Sequence, residues 1–202
     1  MDDKRDFLFR FIPVEKRKLL KLDEEALYSV TDQYTADKIS KEIKKQFPDI
    51  HIITDATSCI GGNTYSFSKY FDTVYAIELD KLKYDYLSYN LSILDSTNIQ
   101  LYHGDSIAII PTLQQDIIFL DPPWGGPNYK DKKQIDLYLS DIELSEVCRL
   151  LKSCCKYIAL KVPTNFDLDK FTERTKTFMI QVYKNTELRK MQLLLYTTMN
   201  TG

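Results

Sequence analysis

A short apolar run that ends in an acid and two prolines constrains this chain more than any other feature. Residues 116–120, Asp-Ile-Ile-Phe-Leu, are too few for a helix and have the unbroken apolar pattern of a buried parallel strand. Asp121-Pro122-Pro123-Trp124 follows directly, and the prolines force a stiff, extended exit from that strand. Ligands of open α/β sheets bind beyond the carboxyl ends of the strands. The run therefore predicts an α/β fold with Asp121 and Trp124 at a ligand-binding edge.

The groups after this strand suit an amine that is attached to a flat ring. The carboxylate of Asp121 and the backbone carbonyl of Pro122 can accept the hydrogens of the amine, and the indole of Trp124 can stack on the ring. A turn in which Trp124 merely packs is the alternative interpretation. Trp124 is the only tryptophan of the chain and two glycines follow it at once, which favours the ligand-binding interpretation.

The composition indicates one globular domain. The chain has 202 residues, 44% of them hydrophobic and 28% charged. Its four cysteines form no CxxC pair and its two histidines are isolated, so we expect no metal site and no disulfide framework. No apolar run reaches the roughly 18 residues of a membrane span, and the charged N-terminus has no signal-peptide core. We therefore expect an intracellular protein, cytoplasmic or nuclear and not secreted.

The charge of the chain limits its partners. A net charge of −2 argues against a general binder of long nucleic acid, which normally displays a strongly basic face, but it leaves a small anionic ligand open. Residues 1–21 are locally basic. They suit either a phosphate-binding arm or a solvated terminus.

A second signature precedes the apolar run. Residues 50–54 predict a strand, and the loop from Asp55 to Asn63 holds two glycines before a helix, as in Rossmann-like folds whose backbone N–H groups approach a ligand. Glu78 ends the next predicted strand. It lies 23 residues after Asp55 (78 minus 55), close to the spacing of about 20 at which an acid binds ribose hydroxyls. This spacing favours a nucleoside ligand.

These motifs resemble those of known methyltransferases. Asp-Pro-Pro followed by an aromatic resembles motif IV of S-adenosylmethionine-dependent amino-methyltransferases. The longer Pro-Pro-Trp-Gly-Gly-Pro-x-Tyr, which ends at Tyr129, is similar to that of the trimethylguanosine synthase family, the RNA cap guanine-N2 methyltransferases. The loop after Asp55 resembles the family's Asp-Ala-Phe-Cys-Gly-Val-Gly-Gly-Asn, with Thr57 for the aromatic and Cys59 for the first glycine. The resemblance covers residues 20–197.

The resemblance implies the fold of class I S-adenosylmethionine-dependent methyltransferases. This fold is α/β and Rossmann-like, with a seven-stranded mixed sheet and a terminal antiparallel hairpin. Alternating runs at residues 176–184 and 190–197 predict that hairpin. A short N-terminal helical extension, residues 1–34, would cover the cofactor and the cap, and residues 35–202 would form the methyltransferase domain. We expect the first helix of this domain to begin at Thr35.

The resemblance also implies a cofactor, S-adenosyl-L-methionine, and the residues that bind it. Family members fold the segment that matches residues 22–31 over the cofactor. An acid after the second strand binds ribose, and an acid after the third strand binds the adenine amine. In this chain the implied cofactor-binding residues are Ser29, Thr31, Asp55, Ala56, Gly61, Asn63, Glu78, Asp105, Ser106 and Asp121.

The implied reaction transfers a methyl group to the exocyclic N2 of an N7-methylguanosine RNA cap. The product is 2,7-dimethylguanosine or, after a second transfer, 2,2,7-trimethylguanosine. The implied catalytic residues are Asp121, Pro122 and Trp124, and the implied substrate-binding residues are Trp124, Tyr129 and Asn165. The expected partner is capped RNA or a cap nucleotide, with no membrane, and the expected state is a monomer.

Two positions depart from the family's pattern. Many members have Ser where this chain has Asp121, which leaves open whether the carboxylate only accepts hydrogen bonds or also takes a proton. Family members tend to have Pro-Arg-Asn, with the Arg near the cap phosphates, where this chain has Pro163-Thr164-Asn165. Between these positions, the polar residues 129–138 predict a loop or lid.

Two other functions stay open from the sequence. An amino-methyltransferase that acts on guanine N2 or adenine N6 within rRNA or DNA would share motif IV, although the chain has neither a basic face nor a target-recognition domain for base flipping. A catalytically inactive cap-binding module is the other alternative. The acids Glu78, Asp105 and Asp121 argue against it, because a pure binder needs no cofactor acids.

Overall fold

The chain divides into two compact units, Met1–Ser106 and Ile107–Gly202. The computed structural model describes residues 4–175, 179–183, 188 and 191–198. Within these ranges, no helix is both long enough and apolar enough to cross a membrane. Each unit contains parallel strands that are joined by helices, as expected for an α/β protein.

Three parallel strands, in the order β3-β2-β1, form the sheet of the first unit. β1 (Ile52–Asp55) pairs with β2 (Thr73–Glu78), and β2 pairs with β3 (Ile99–His103), so that Glu78 lies opposite His103. The carboxyl ends of all three strands therefore lie at one edge. The helices of this unit are α1 (Lys4–Leu8), α2 (Val14–Arg17), α3 (Ala26–Ser29), α4 (Gln33–Gln46), α5 (Gly62–Phe67) and α6 (Lys81–Ile93).

Acidic N-caps begin the two long helices of this unit. The carboxylate of Asp32 accepts hydrogen bonds from the backbone N–H groups of Tyr34 and Thr35, at 3.2 and 3.3 Å, and so begins α4. The prediction that this helix starts at Thr35 was wrong by two residues, because Asp32 is the stronger capping position. Asp80 caps α6 in the same way through the N–H of Lys83, at 2.9 Å.

Four strands, in the order β4-β7-β9-β8, form the sheet of the second unit. β4 (Ile117–Leu120) and β7 (Tyr157–Pro163) are parallel, whereas β9 (Met191–Thr197) is antiparallel to both β7 and β8 (Met179–Tyr183). The remaining elements are α7 (Ser106–Ile109), which begins at the last residue of the first unit, the small antiparallel pair β5 (Tyr138–Leu139) and β6 (Ile142–Glu143), α8 (Leu144–Leu151), α9 (Leu168–Arg174) and 3₁₀ turns at Ile110–Thr112, Pro127–Asp131 and Lys152–Cys154.

The fold class that the sequence implied is confirmed. Three strands in one unit and four in the other give the seven strands of the mixed sheet, and β8 with β9 gives the terminal antiparallel hairpin. Parts of the predicted hairpin, residues 176–178, 184–187, 189 and 190, lie outside the described residues. The stretch 129–138, predicted as a loop or lid, is mostly without regular structure and begins in a 3₁₀ turn. The division into residues 1–34 and 35–202 stays a prediction.

The N-terminal helices are part of the core of the first unit. Asn90 of α6 holds the segment in place, because its side-chain Oδ1 accepts the N–H of Lys21 at 2.7 Å and its Nδ2 donates to the carbonyls of Lys21 and Ile60 at 2.9 and 3.2 Å. Apolar side chains of the same segment pack in a buried cluster with the loop after β1. The buried members of this cluster are Leu8, Phe9, Ile12, Leu20, Ala26, Val30 and Ile60.

We expect Asn90→Ala to loosen the N-terminal segment. The substitution leaves the backbone groups of Lys21 and Ile60 without their side-chain partner, which costs about 1–3 kcal/mol of unfolding free energy. Urea denaturation measures this loss, and limited proteolysis should cut first within residues 10–25. Ser88→Ala, on the exposed side of the same helix, is the control. An unchanged midpoint and an unchanged cleavage pattern for Asn90→Ala would contradict this account of the segment.

Candidate active site

The loop after β1 is organised by the carboxylate of Asp55. One oxygen, Oδ2, accepts the hydroxyl of Thr64 at 2.6 Å, and the other, Oδ1, accepts the N–H of Thr57 at 3.3 Å. Cys59 and Gly61 adopt left-handed backbone conformations, with φ of 49° and 103°. The sequence predicted Asp55 as a cofactor-binding residue, and the structure shows its fully buried carboxylate bonding to the loop and to the first turn of α5.

Glu78 reaches from the end of β2 to the same loop. Its Oε2 accepts the N–H of Cys59 at 2.7 Å, and its Oε1 accepts the N–H of Asp80 at 2.8 Å. Burial raises the pKa of Glu78, and the two backbone N–H groups partly oppose that rise. A carboxylate can accept about four hydrogen bonds. The two backbone bonds therefore orient Glu78 and leave acceptor capacity for ribose hydroxyls.

Residues 29–31 pass directly over the loop after β1. A Cβ on Gly62 would lie 2.5 Å from the carbonyl oxygen of Thr31, so this close approach requires a glycine. The side-chain Nδ2 of Asn63 donates to the hydroxyl of Thr31 at 2.9 Å. The hydroxyl of Ser29 lies 3.7 Å from the sulfur of Cys59. The structure thus brings the predicted residues Ser29, Thr31 and Asn63 to one loop, in which the predicted Gly61 precedes Gly62.

The residues after β3 meet the same loop. The hydroxyl of Ser106 donates to the carbonyl of Ala56, and the N–H of Gly104 donates to the carbonyl of Glu78 at 3.0 Å. The half-buried Asp105 lies between Gly104 and Ser106. Acids and small residues from the ends of three neighbouring strands therefore lie in one unit.

This group of residues fits the cofactor that the sequence implied. The side-chain Oδ1 of Asn63 is buried and has no hydrogen-bond partner among the described residues, which suits an acceptor that is completed by a ligand. The carboxylates of Glu78 and Asp105 suit ribose hydroxyls and an adenine amine. The role of each residue in cofactor binding stays a prediction.

The motif after β4 contains an ion pair in the second unit. The side-chain Nζ of Lys161, in β7, lies 2.6 Å from Oδ2 of Asp121, and both side chains are nearly buried, with 6% and 11% exposed. The sequence analysis assigned no role to Lys161. A signal was present, because a lysine inside an otherwise apolar strand requires a partner when that strand is buried.

The ring of Trp124 is held between charged and aromatic neighbours. The ammonium of Lys161 lies 4.9 Å from the centroid of the indole, and the ring of Tyr129 meets it edge-on, with the centroids 5.1 Å apart and the planes at 78°. Trp124 is partly exposed and is not in the buried core of the described residues. Its indole Nε1 is buried and has no hydrogen-bond partner in the described part of the chain. The interpretation that Trp124 merely fills the core does not fit this exposure.

The backbone after Trp124 depends on glycine conformation. Gly125 and Gly126 have φ of 87° and 76°, and nothing lies within 4 Å of a Cβ built on either residue. Glycine is therefore favoured here by the left-handed backbone and not by lack of space. These residues place Pro127 and Tyr129 in the 3₁₀ turn that follows.

Asn165 supports the loop that carries Tyr129. Its side-chain Nδ2 donates to the carbonyls of Tyr129 and Lys132, both at 2.9 Å. Its Oδ1 is buried without a partner among the residues that the structure describes, which leaves an acceptor for a substrate. The neighbouring Thr164 is exposed and brings no charge in place of the Arg that the resemblance would put there.

Comparisons with known proteins identify the family of this chain. A family model described as RNA cap guanine-N2 methyltransferase matches residues 50–199. The trimethylguanosine synthase of Schizosaccharomyces pombe is 33% identical over 159 residues, which cover 73% of this chain and 64% of that protein. An uncharacterized protein of Acanthamoeba polyphaga mimivirus is 30% identical over 213 residues, 91% of this chain and 82% of that protein. The chain thus spans less than two thirds of the length of the fission yeast enzyme.

Solved structures of other methyltransferases share the fold. A precorrin-6y C5,15-methyltransferase from Geobacter metallireducens has a TM-score of 0.60 at 16% identity, and the match covers 88% of this chain and 93% of that one. An rRNA methylase from Streptococcus thermophilus has a TM-score of 0.55 at 14% identity, over 81% and 95%. The family and the fold together imply S-adenosyl-L-methionine as the cofactor. The chain belongs to the RNA cap guanine-N2 methyltransferase family.

Proposed function

We propose that this protein transfers a methyl group from S-adenosyl-L-methionine to the exocyclic N2 of an N7-methylguanosine RNA cap. The first product is 2,7-dimethylguanosine, and a second transfer gives 2,2,7-trimethylguanosine. The observation that best supports this proposal is the neighbourhood of Asp121 and Trp124, which share the ammonium of Lys161 as a contact. A carboxylate beside a partly exposed indole suits an amine on a flat ring.

The main difficulty of this reaction is the weak nucleophilicity of the amine. The lone pair of guanine N2 is delocalised into the ring, so the protein has to orient it. The carboxylate of Asp121 and the carbonyl of Pro122 accept the two amine hydrogens and direct the lone pair. S-adenosyl-L-methionine supplies an electrophilic methyl group when it is bound. Most of the rate enhancement then comes from orientation and proximity.

Trp124 gives the site its preference for a methylated ring. An N7-methylated guanine carries a positive charge, and a cation over an indole face is stabilised by about 2 kcal/mol when it is desolvated. Tyr129 fixes the angle of the indole through its edge-on contact. Burial raises the pKa of Tyr129, so its hydroxyl stays neutral and able to donate at physiological pH.

Residues of the first unit bind the cofactor in this proposal. Glu78 accepts hydrogen bonds from the ribose hydroxyls, Asp105 accepts from the adenine amine, and Oδ1 of Asn63 gives a third acceptor. Residues 29–31, held to the loop by Asn63, cover the bound cofactor. A capped RNA as substrate also implies an intracellular enzyme, nuclear or cytoplasmic, and we expect it to act as a monomer.

A methyl-transfer assay tests the proposed substrate. Wild-type protein is incubated with tritiated S-adenosyl-L-methionine and either N7-methyl-GDP or GDP, and mass spectrometry identifies the product. We expect N7-methyl-GDP to gain a methyl group on N2 at least about tenfold faster than GDP, because a charge preference of about 2 kcal/mol corresponds to more than a factor of ten.

The other outcomes of this assay point to other functions. Equal turnover of both nucleotides would rule out the cap assignment. Transfer to an rRNA or DNA fragment, but not to N7-methyl-GDP, would support an amino-methyltransferase of a different substrate class. Binding of S-adenosylhomocysteine without any transfer would support an inactive module.

We expect Glu78→Gln to weaken S-adenosylhomocysteine binding about 10- to 100-fold. The substitution removes charge-assisted hydrogen bonds, each worth about 1.5–3 kcal/mol. Because the pKa of Glu78 is raised, wild-type affinity should fall as the pH is lowered through that raised pKa, whereas the affinity of Glu78→Gln should change little. Isothermal titration calorimetry measures both effects, with Glu173→Gln at an exposed acid of α9 as the control. An unchanged dissociation constant for Glu78→Gln would show that Glu78 does not bind the ribose.

Substitutions of Trp124 separate stacking from packing. We expect Trp124→Phe to keep part of the turnover and Trp124→Ala to lose most of it, with little change in melting temperature, because the ring is partly exposed. If Trp124 filled the core, Trp124→Ala would instead cost about 3–5 kcal/mol of stability. Turnover and thermal melts of both variants decide the question, and Tyr138→Ala at an exposed aromatic is the control. A large loss of stability that accounts for the lost turnover would disprove the stacking role.

A further inference from the structure

The register between β4 and β7 in the second unit places Lys161 beside the catalytic motif. β4 and β7 pair in parallel up to Leu120 opposite Leu160, so Asp121 and Lys161 are the next residues along the two strands. Their side chains form the contact of 2.6 Å between Nζ and Oδ2. On its other side, Lys161 lies opposite Leu193 of β9. Lys161 therefore belongs to an interior strand, which has β4 on one side and β9 on the other, and its ammonium is paired with the acid that follows β4.

A second ion pair between the same two strands gives a comparison. At the opposite end of β4 and β7, the Nζ of Lys156 lies 2.8 Å from Oδ1 of Asp116, and Lys156 is 52% exposed. That pair lies at the surface, where such contacts contribute little. The Asp121–Lys161 pair is nearly buried, and burying two charges costs several kcal/mol before their attraction offsets it. Apolar residues would stabilise the position as well, so stability alone does not explain the pair.

The ammonium of Lys161 contacts both of the groups that we propose to bind the substrate. It lies 2.6 Å from the carboxylate of Asp121 and 4.9 Å from the centroid of Trp124. A change in its position or charge would therefore change the acceptor for the amine and the platform for the ring together.

We propose that Lys161 is a positioning residue for methyl transfer, which holds Asp121 and Trp124 in one fixed arrangement and keeps Asp121 as a hydrogen-bond acceptor. This inference rests on the proposed function. A carboxylate that is paired with an ammonium at 2.6 Å has further acceptor sites for the amine, but protonating it would leave the buried ammonium without its counter-charge. Asp121 therefore orients the amine and does not serve as its base.

The methyl transfer does not require a base in the protein. The amine nitrogen bonds to the methyl carbon as the carbon–sulfur bond breaks with its electron pair on sulfur. The nitrogen then carries a positive charge and one proton too many. Such a methylated ammonium on an aromatic ring is strongly acidic, so it loses that proton to water once the transfer is complete.

A double-mutant cycle tests the inference. Lys161→Met removes the charge and keeps the length of the side chain, and Asp121→Asn keeps one acceptor oxygen. We expect each single variant to lower kcat for N7-methyl-GDP about 10- to 100-fold, with a smaller rise in KM. We expect the double variant to match Asp121→Asn within about threefold, because Lys161 acts through Asp121. Lys156→Met, at the exposed pair of the same strands, should leave kcat and KM unchanged.

Tryptophan fluorescence adds a readout that a general loss of structure does not mimic. Trp124 is the only tryptophan of the chain, so all tryptophan emission reports on this ring. Removing a cation 4.9 Å from the ring centroid should shift the emission maximum of Lys161→Met and change its quenching by N7-methyl-GDP. Lys156→Met should have the wild-type spectrum. Circular dichroism establishes that each variant is folded before these comparisons are made.

Three outcomes would overturn the inference. Losses of kcat that multiply in the double variant would show that Lys161 does not act through Asp121. A loss of about 10⁴-fold for Asp121→Asn, with wild-type turnover for Lys161→Met, would indicate that Asp121 is a general base. An emission spectrum of Lys161→Met identical to that of the wild type would contradict the contact with Trp124. If wild-type protein does not methylate N7-methyl-GDP at all, the proposed function fails, and the fluorescence comparison still tests Lys161 without substrate.

Discussion

Parallel pairing of strands is the constraint on which both units depend. In a parallel sheet the carboxyl ends of neighbouring strands lie at the same edge, so residues that are distant in the chain come within hydrogen-bond reach. In the first unit this pairing brings Glu78 and Ser106 to the loop after β1. In the second unit it brings Lys161 to Asp121, which is 40 residues earlier in the chain. Backbone hydrogen bonds between strands thus bring together residues that no local sequence pattern relates to each other.

Buried polar atoms without partners occur in the loops of both units. Leaving such an atom without a hydrogen bond costs about 1–3 kcal/mol, so an unpaired atom indicates a missing partner or a site of strain. Asn63 and Asn165 each donate through Nδ2 to fix a loop and leave Oδ1 unpaired among the described residues. The hydroxyl of Ser96, which precedes the amino end of β3, is also unpaired among these residues. An unpaired atom therefore supports a binding site only where other site residues surround it.

The sequence predicted the elements of the fold better than the contacts of the site. The apolar run before Asp121 predicted β4, which ends at Leu120, and Glu78 ends β2 as predicted. The first strand was predicted at residues 50–54, whereas β1 spans Ile52–Asp55. The partner of Asp121 was missed, because Lys161 belongs to a later strand and only the sheet register brings the two together. The start of α4 was misplaced because two capping residues, Asp32 and Thr35, lie three positions apart. The backbone conformation of the loop could not be predicted either, since nothing in the sequence shows that Cys59 adopts a left-handed φ of 49°.

The packing of residues 4–31 has a consequence for the protein while it is being made. This segment leaves the ribosome before Ile60 and Asn90, against which it packs, because both residues follow later in the chain. From residue 31 to residue 90 there are 59 positions, which take about 3–12 s to add at 5–20 residues per second. During that interval the side chains of Leu20, Ala26 and Val30 have no core to enter. The nascent chain therefore exposes an apolar segment that chaperones can bind, and this segment completes its folding only after α6 has emerged.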